Sequence, residues 1–154
     1  MNTLTKTDEK EEALFEAAKN GNLEMVKSLV ENESDVYEAL NIAADNGHLE
    51  VVKFLFDNGA DIHDGEALIG AIGNGHLEVV QFLVENGVDF TAHNNEALIE
   101  ASWCGHFKIV KYLVEKGATV NGSDQSNDAL FVAYQNNHKE IIEFLTMKGA
   151  KMIW

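Results

Sequence analysis

The heptapeptide NGHLEVV occurs at residues 46–52 and again at residues 74–80. Chance is a poor explanation for seven identical residues in a chain of 154. Self-similarity at a regular spacing is typical of repeat architectures, in which one small unit is stacked several times. The repeated heptapeptide therefore indicates a duplicated structural unit.

Alignment on the heptapeptide recovers five copies of one unit. Their first halves begin at residues 12, 38, 66, 96 and 128 and read EALFEAAKNGN, EALNIAADNGH, EALIGAIGNGH, EALIEASWCGH and DALFVAYQNNH. Their second halves read LEMVKSLV, LEVVKFLF, LEVVQFLV, FKIVKYLV and KEIIEFLT. Two anchor leucines, such as Leu14 and Leu29, are 15 residues apart in every copy, whereas the connection between copies grows from 11 to 17 residues in steps of two. Because steps of two preserve the side-chain alternation of a hairpin, we expect a rigid unit with short hairpin-like fingers.

Each copy has the pattern of two short antiparallel helices. In the first helix a leucine and the alanine three residues later share one face. An acidic residue is expected to begin this helix, because the positive end of the helix dipole favours a negative charge there. These residues are Glu12, Glu38, Glu66, Glu96 and Asp128. Expected N-caps precede it at Asp64, at Asn94 or Asn95, and at Ser126 or Asn127. Left-handed residues are expected to end it at Gly21, Gly47, Gly75, Gly105 and Asn137. The second helix has one apolar face and one face with a Glu–Lys–Glu stripe.

These features resemble the ankyrin repeat from about residue 12 to the end of the chain: the Leu-x-x-Ala helix, the Gly-His turn, Val-Val and Leu in the second helix, and the Gly-Ala-Asp-Ile that follows. The resemblance implies an all-α ankyrin-repeat solenoid of five stacked helix-turn-helix units. It would be one domain with repeats at about 12–37, 38–65, 66–95, 96–127 and 128–154, and with residues 1–11 as an N-terminal cap.

The chain also departs from the family pattern. Glu-Ala-Leu replaces the usual Thr-Pro-Leu-His opening, the fingers are shorter, and Glu33 and Ser34 replace the Gly-Ala after the first unit. Arrays with many such heptapeptides look most like those of large DNA viruses, of some bacteria and of their phages.

The charge of the chain narrows the class of partner. The formal net charge is −15, from 26 acidic residues and 11 basic residues that are all lysine. Nucleic-acid binding needs a basic surface, so we expect no direct nucleic-acid contact and, as the complement of an acidic surface, a basic protein partner. The apolar runs are too short to span a membrane, and no signal peptide is expected. With the single Cys104, these features predict a cytoplasmic protein of the producing or host cell.

Catalytic and metal-binding patterns are not evident, so we expect no enzyme, no cofactor and no metal. Four histidines occupy the same position after the turn, namely His48, His76, His106 and His138. Stacked helices lie about 8–10 Å apart, too far for successive histidines to share an ion, so we expect them to bond to backbone. Asp61, His63 and Asp64 form a triplet that could suggest a metal site, although isolated triplets of this kind are common.

The resemblance implies that the two residues before each turn residue line a concave groove that binds proteins. Trp103 is the main anchor candidate, although it could instead pack against a neighbouring repeat. The other candidates in and beside the groove are Cys104, Asp45, Asn46, Gly73, Asn74, Gln135, Asn136, Glu16 and Glu100. From the fingers, the candidates are Asp61, Asp64, Asp89, Phe90, His93 and Asp124. Phe90 could instead fill a buried finger position, and Trp154 is expected to cover the end of the stack with Met152 and Ile153.

Three functions follow from these observations. The main hypothesis is a non-enzymatic module, a monomer on its own, that binds a basic protein through its concave face. A sharper alternative is an acidic inhibitor of a nucleic-acid-acting protein, such as a toxin immunity protein or a viral or phage anti-defence protein. The last is a structural or oligomer-building solenoid, which would need an exposed apolar patch.

Overall fold

The structure is a computed structural model that describes residues 6–30, 33–121 and 128–152. This part of the chain forms ten α-helices: α1 (Lys6–Lys19), α2 (Leu23–Leu29), α3 (Glu33–Asp45), α4 (Leu49–Asp57), α5 (Glu66–Gly73), α6 (Leu77–Glu85), α7 (Ala92–Trp103), α8 (Phe107–Glu115), α9 (Ala129–Gln135) and α10 (Lys139–Met147). None of these helices is long and apolar enough to cross a bilayer.

The helices form five consecutive helix-turn-helix units, as the repeat pattern predicted. Each odd-numbered helix packs on the even-numbered helix that follows it, and also on the odd-numbered helices of the adjacent units. The odd-numbered helices contact one another more extensively than the even-numbered helices do. The stack therefore curves toward the odd-numbered helices, which we call the inner helices, and they line its concave face.

The turn between the two helices of a unit locks each repeat to the one before it. Gly21, Gly47, Gly75 and Gly105 have positive φ, and Asn137 replaces them at φ 58°. The Nε2 atoms of His48, His76, His106 and His138 lie 2.7–3.0 Å from backbone carbonyl oxygens of the preceding repeat, at Lys19, Asp45, Gly73 and Trp103. Because a carbonyl only accepts, Nε2 carries the hydrogen in each case. This confirms the expected backbone role of the four histidines.

The core runs through the stack between the inner helices and the even-numbered helices, which we call the outer helices. The anchor leucines are buried at almost every position, for example Leu40, Leu55 and Leu83, whereas Leu29 in the shorter first unit is half-buried. Aromatic rings on the outer helices join neighbouring repeats: Phe82 meets Phe56 edge-on at 5.6 Å between ring centroids, as Phe144 and Phe107 do at 5.5 Å. The outer surface carries exposed ion pairs such as Lys53–Glu50 at 2.9 Å.

The connections between repeats differ from the expected hairpins. The described part of the chain contains no β-strand, and the fingers consist of turns and of extra helical residues. Helices α3 and α7 begin several residues earlier than predicted, so Glu38, Glu96 and the expected N-caps Asn94 and Asn95 lie inside helices. Helix α1 begins at Lys6, so part of the expected N-terminal cap extends the first helix ahead of Glu12. A short finger has too few residues to pair its backbone N–H and C=O groups in strands. Extending the next helix gives these groups hydrogen bonds within the helix instead.

Helix α5 begins at Glu66 as expected, but its N-cap is Gly65 and not Asp64, and Asp128 is an N-cap and not the first residue of its helix. Asp64 accepts a hydrogen bond from the Glu66 backbone nitrogen at 3.1 Å, immediately before α5. Asp128 is the N-cap of α9 and accepts from the Leu130 nitrogen at 3.2 Å. The alternative caps Ser126 and Asn127 lie outside the described residues.

The C-terminal segment returns to the stack. Met152 packs against the core, and the Lys151 backbone nitrogen donates to Asn121 Oδ1 at 2.9 Å. Ile153, Trp154 and the finger candidate Asp124 lie outside the described residues.

Candidate functional site

The inner helices end in one row of side chains, which we call the inner row: Lys19, Asp45, Gly73, Trp103 and Gln135. The carbonyl of each of the first four accepts the histidine bond from the following repeat. The bond that stacks the repeats thus also fixes the backbone under these side chains. The inner row is therefore a preformed surface on the concave face.

Trp103 projects from this row at the end of α7. It is 51% exposed, although it belongs to a residue type that usually buries most of its surface. About half of its surface is therefore available to a partner. An exposed indole next to small and polar residues has the character of a binding anchor.

The inner helix α5 has two residues without a side chain, Gly70 and Gly73. A β-carbon on Gly70 would lie 1.6 Å from Asp45 Oδ1, so the Asp45 carboxylate rests directly on the bare helix. Partial burial raises the pKa of Asp45 from its ordinary value, and nearby His76 opposes the rise. The glycines thus create a shallow floor, and one carboxylate already occupies its edge.

Glu100 approaches the same floor from the other side. Its Oε1 would be 3.3 Å from a β-carbon on Gly73, and it accepts a hydrogen bond from Cys104 Sγ at 3.4 Å. Burial, together with this carboxylate, raises the pKa of Cys104 to about 11. The thiol is therefore protonated near neutral pH and would contribute contact surface, not a nucleophile.

The asparagines that precede the turns have a structural use of their own. The Nδ2 atoms of Asn46, Asn74 and Asn136 donate to the carbonyl four residues earlier at 2.8, 3.0 and 2.9 Å. Asn20 does the same at 2.8 Å and also donates to Glu16 Oε2 at 3.0 Å. These amides cap the inner helices, so the side chains beside them are the better binding candidates.

A cavity of about 360 Å³ lies between two neighbouring fingers, at the start of α5 and α7. We call it the finger pocket. One wall comes from residues 63–69 and the other from residues 89–97. Four of the predicted finger residues line it, namely Asp64, Asp89, Phe90 and His93. Phe90 is half-buried and packs on the core, so it fills the finger base and lines the pocket at once.

Two predicted finger residues hold local turns. Asp61 Oδ1 accepts from the His63 backbone nitrogen at 3.0 Å and lies 2.8 Å from its Nδ1. These bonds lower the pKa of Asp61. Asp89 Oδ1 accepts from the Thr91 nitrogen and hydroxyl at 2.9 and 2.7 Å, which lowers the pKa of Asp89. In the Asp61, His63 and Asp64 triplet, Asp64 turns away to bond Glu66 and Tyr37.

Several residues of this site were not predicted from the sequence. The Tyr37 hydroxyl contacts a carboxylate oxygen of Asp64 and lies 2.7 Å from Glu66 Oε2. These hydrogen bonds raise the pKa of Tyr37 above its ordinary value. Glu66 and Glu96, interpreted only as helix openers, line the finger pocket. The glycines at 70 and 73 inside a predicted helix signal the close approach of Asp45 and Glu100, but they give no signal for these three residues.

Comparison with known proteins agrees with this architecture. A family model described as ankyrin repeats in three copies matches residues 1–66 and 68–153. Among curated proteins, none gives a significant match.

Proposed function

The chain belongs to the ankyrin repeat family, and we infer from this membership and from the site geometry that it binds another protein through its concave face. Ankyrin repeats are generally protein–protein interaction modules and are typically non-enzymatic. The observation that carries the proposal is Trp103, half exposed in the inner row. The Trp103 backbone is already fixed by the hydrogen bond from His138, so little conformational freedom is lost when a partner covers the side chain.

The partner is proposed to be basic at its contact surface. Asp45 and Glu100 flank the glycine floor of α5, and four more carboxylates surround the finger pocket. Acidic groups arranged in this way accelerate association with a basic surface and orient it. Binding would act by occlusion, since a rigid surface covers the part of the partner that it contacts.

The inhibitor hypothesis requires carboxylates concentrated on one face. The described carboxylates instead occupy both faces, because the outer helices carry Glu24 and Glu50 paired with Lys27 and Lys53. Some of the acidic residues therefore lie on the outer surface, where these two are balanced by lysines. The proposed partner class is a protein with a local basic segment, and a nucleic-acid-acting protein is one specific outcome of the test below.

The test is affinity capture from extract of the source cells, with mass spectrometry, at about 0.1 and 0.5 M salt, between which screening changes strongly. A protein captured by the wild type and lost with Trp103→Ala is the expected result. Met147→Ala is the control, because Met147 is a large apolar side chain that is 75% exposed on the outer helix α10, away from the concave face. Equal retention by both variants would count against the concave face as the binding surface.

A further inference from the structure

The finger pocket is distinct from the inner row in position. Glu66 and Glu96 line the pocket, and Gly73 and Trp103 end the same two helices seven residues later. At 1.5 Å per residue the two places are about 10 Å apart along the helices. A single extended segment of a partner could therefore reach both.

The pocket is strongly acidic. Asp64, Glu66, Asp89 and Glu96 line it without any lysine or arginine, and its two histidines, His63 and His93, lie 2.8 Å from Asp61 Oδ1 and 3.7 Å from Glu96 Oε2. The Asp89 carboxylate is held in its charged form by the two Thr91 bonds. A pocket with this lining excludes anionic groups and attracts a cation.

The carboxylates of Asp64 and Glu66 share one hydroxyl hydrogen-bond donor. Both carboxylates lie within hydrogen-bonding distance of the Tyr37 hydroxyl, which has a single hydrogen to donate. Asn41 Nδ2 adds a bond to Glu66 Oε2 at 3.1 Å, but it is neutral. Two negative groups held together in this way are under-compensated, so an additional cationic donor would stabilise them.

The interior of the pocket is apolar. Leu68 and Ala97 are buried, and Ile69 and Phe90 are half-buried against the core. A hydrated inorganic ion does not match such walls, whereas a side chain with an apolar stem and a charged tip does. The volume of about 360 Å³ is at the lower end of the ligand-site range and suits one long side chain.

We propose that the finger pocket binds an arginine side chain of the partner, so the proposal rests on the function inferred above. The carboxylates come from two repeats on opposite walls, and a planar guanidinium has donors on several edges that can address both walls at once. Its stem would pack on the apolar interior. The arginine would lie about three extended residues from the residue that contacts Trp103, because a strand rises about 3.3 Å per residue.

The experiment uses the full chain labelled with nitrogen-15 and titrated with Nα-acetyl-arginine N-methylamide, followed by amide chemical shifts. Shift changes are expected to cluster in residues 61–69 and 89–97, with a dissociation constant of about a millimolar, as for a single side chain. The citrulline analogue has nearly the same shape without the charge, and it is expected to bind about fivefold or more weakly. Equal binding of the citrulline or lysine analogue, or shifts spread over the acidic surface, would overturn the assignment.

A pair of variants tests whether a carboxylate of the finger pocket binds the arginine analogue. Glu96→Gln is expected to weaken binding of the arginine analogue by about fivefold, as for loss of one charge-assisted hydrogen bond. Glu78→Gln, an exposed acidic position on the outer helix α6, is expected to leave binding unchanged. Equal weakening by the two variants would overturn the proposal, because the analogue would then be responding to net charge.

The outcome separates this inference from the proposed function. If the arginine analogue fails to shift the pocket while Trp103→Ala still abolishes partner capture, the pocket proposal is wrong and concave-face binding stands. If the pocket responds to arginine but neither Trp103→Ala nor any other inner-row variant affects the partner, the assignment of the pocket stands and the inner row is not the binding surface.

Discussion

The turns inside the repeats and the fingers between the repeats differ in how regular they are. The turns inside the repeats are alike: a left-handed residue is followed by a residue that is histidine in four of the five copies, and that ring bonds the preceding repeat. The fingers between repeats differ in length, in turn residues and in how far the next helix extends into them. Both are loops that join helices, but in the described residues only the turns repeat one inter-repeat bond, whereas the fingers contact neighbouring repeats through different groups, such as Asp64 with Tyr37 and Asn121 with Lys151.

The difference shows where the chain can vary. A β-carbon on Gly75 would lie 2.7 Å from the next repeat's His106, whereas one on Gly87 in the following finger would meet nothing within 4 Å. Close packing fixes the turns, while the open space around the fingers permits a pocket and acidic side chains. The histidine turns and the inner row thus lie at one end of the inner helices, and the finger pocket lies at the other end.

The largest expected effect is on the stacking turns. Gly75→Ala should destabilise the fold by about 2–3 kcal/mol, because it adds the left-handed cost of a β-carbon to displacement of the His106 ring. Gly87→Ala, also at positive φ but in open space, should lose only about 1–2 kcal/mol. Urea unfolding measures both. Equal losses would show that the close approach of the ring contributes nothing.

A smaller effect is expected from the ring itself. His106→Ala should cost about 1–2 kcal/mol, because the Gly73 carbonyl loses its 3.0 Å bond in a half-buried position. His63→Ala in a finger should change stability by less than about 0.5 kcal/mol, since its ring is exposed. Thermal unfolding of the two variants compares them directly. A finger histidine as costly as the turn histidine would remove the distinction between the two connections.

The smallest expected effect has the opposite sign. Burial raises the pKa of Asp45, so the folded state is penalised when Asp45 is ionised. This penalty is complete above the folded pKa and absent below the unfolded pKa. Asp45→Asn should therefore stabilise the protein near pH 7 by roughly a few tenths of a kcal/mol, because solvent screens a largely exposed group, and the gain should vanish by about pH 3. Unfolding at the two pH values tests this, and destabilisation near pH 7 would contradict it.

Much of the fold could be predicted from the sequence. The repeated sequence motif predicted the inner and outer helices, the left-handed residues and the histidine position after the turn, because each is set by local geometry that recurs from copy to copy. The starts of α3 and α7 were wrong, since finger residues can join either a strand or a helix and the choice depends on the packing of a particular loop.

The site was predicted less completely. Trp103 stood out because its neighbours in the row are small or polar, and its exposure agrees with that hypothesis. The contact of Tyr37 with Asp64 and Glu66 was not predictable, because it joins residues 27 and 29 positions apart in different repeats. The placement of Asp45 on Gly70 likewise depends on how two helices pack.

If the concave face, and not general acidity, binds the partner, reversing a charge should matter on that face and not on the opposite one. The most direct measurement is the affinity of the captured partner for Asp45→Lys and Glu50→Lys, two variants with the same change in net charge on opposite faces. Our account predicts that Asp45→Lys weakens binding by about tenfold or more, as for reversal of an interface charge, and that Glu50→Lys binds like the wild type. Equal loss in both variants would contradict it, because binding would then follow total charge.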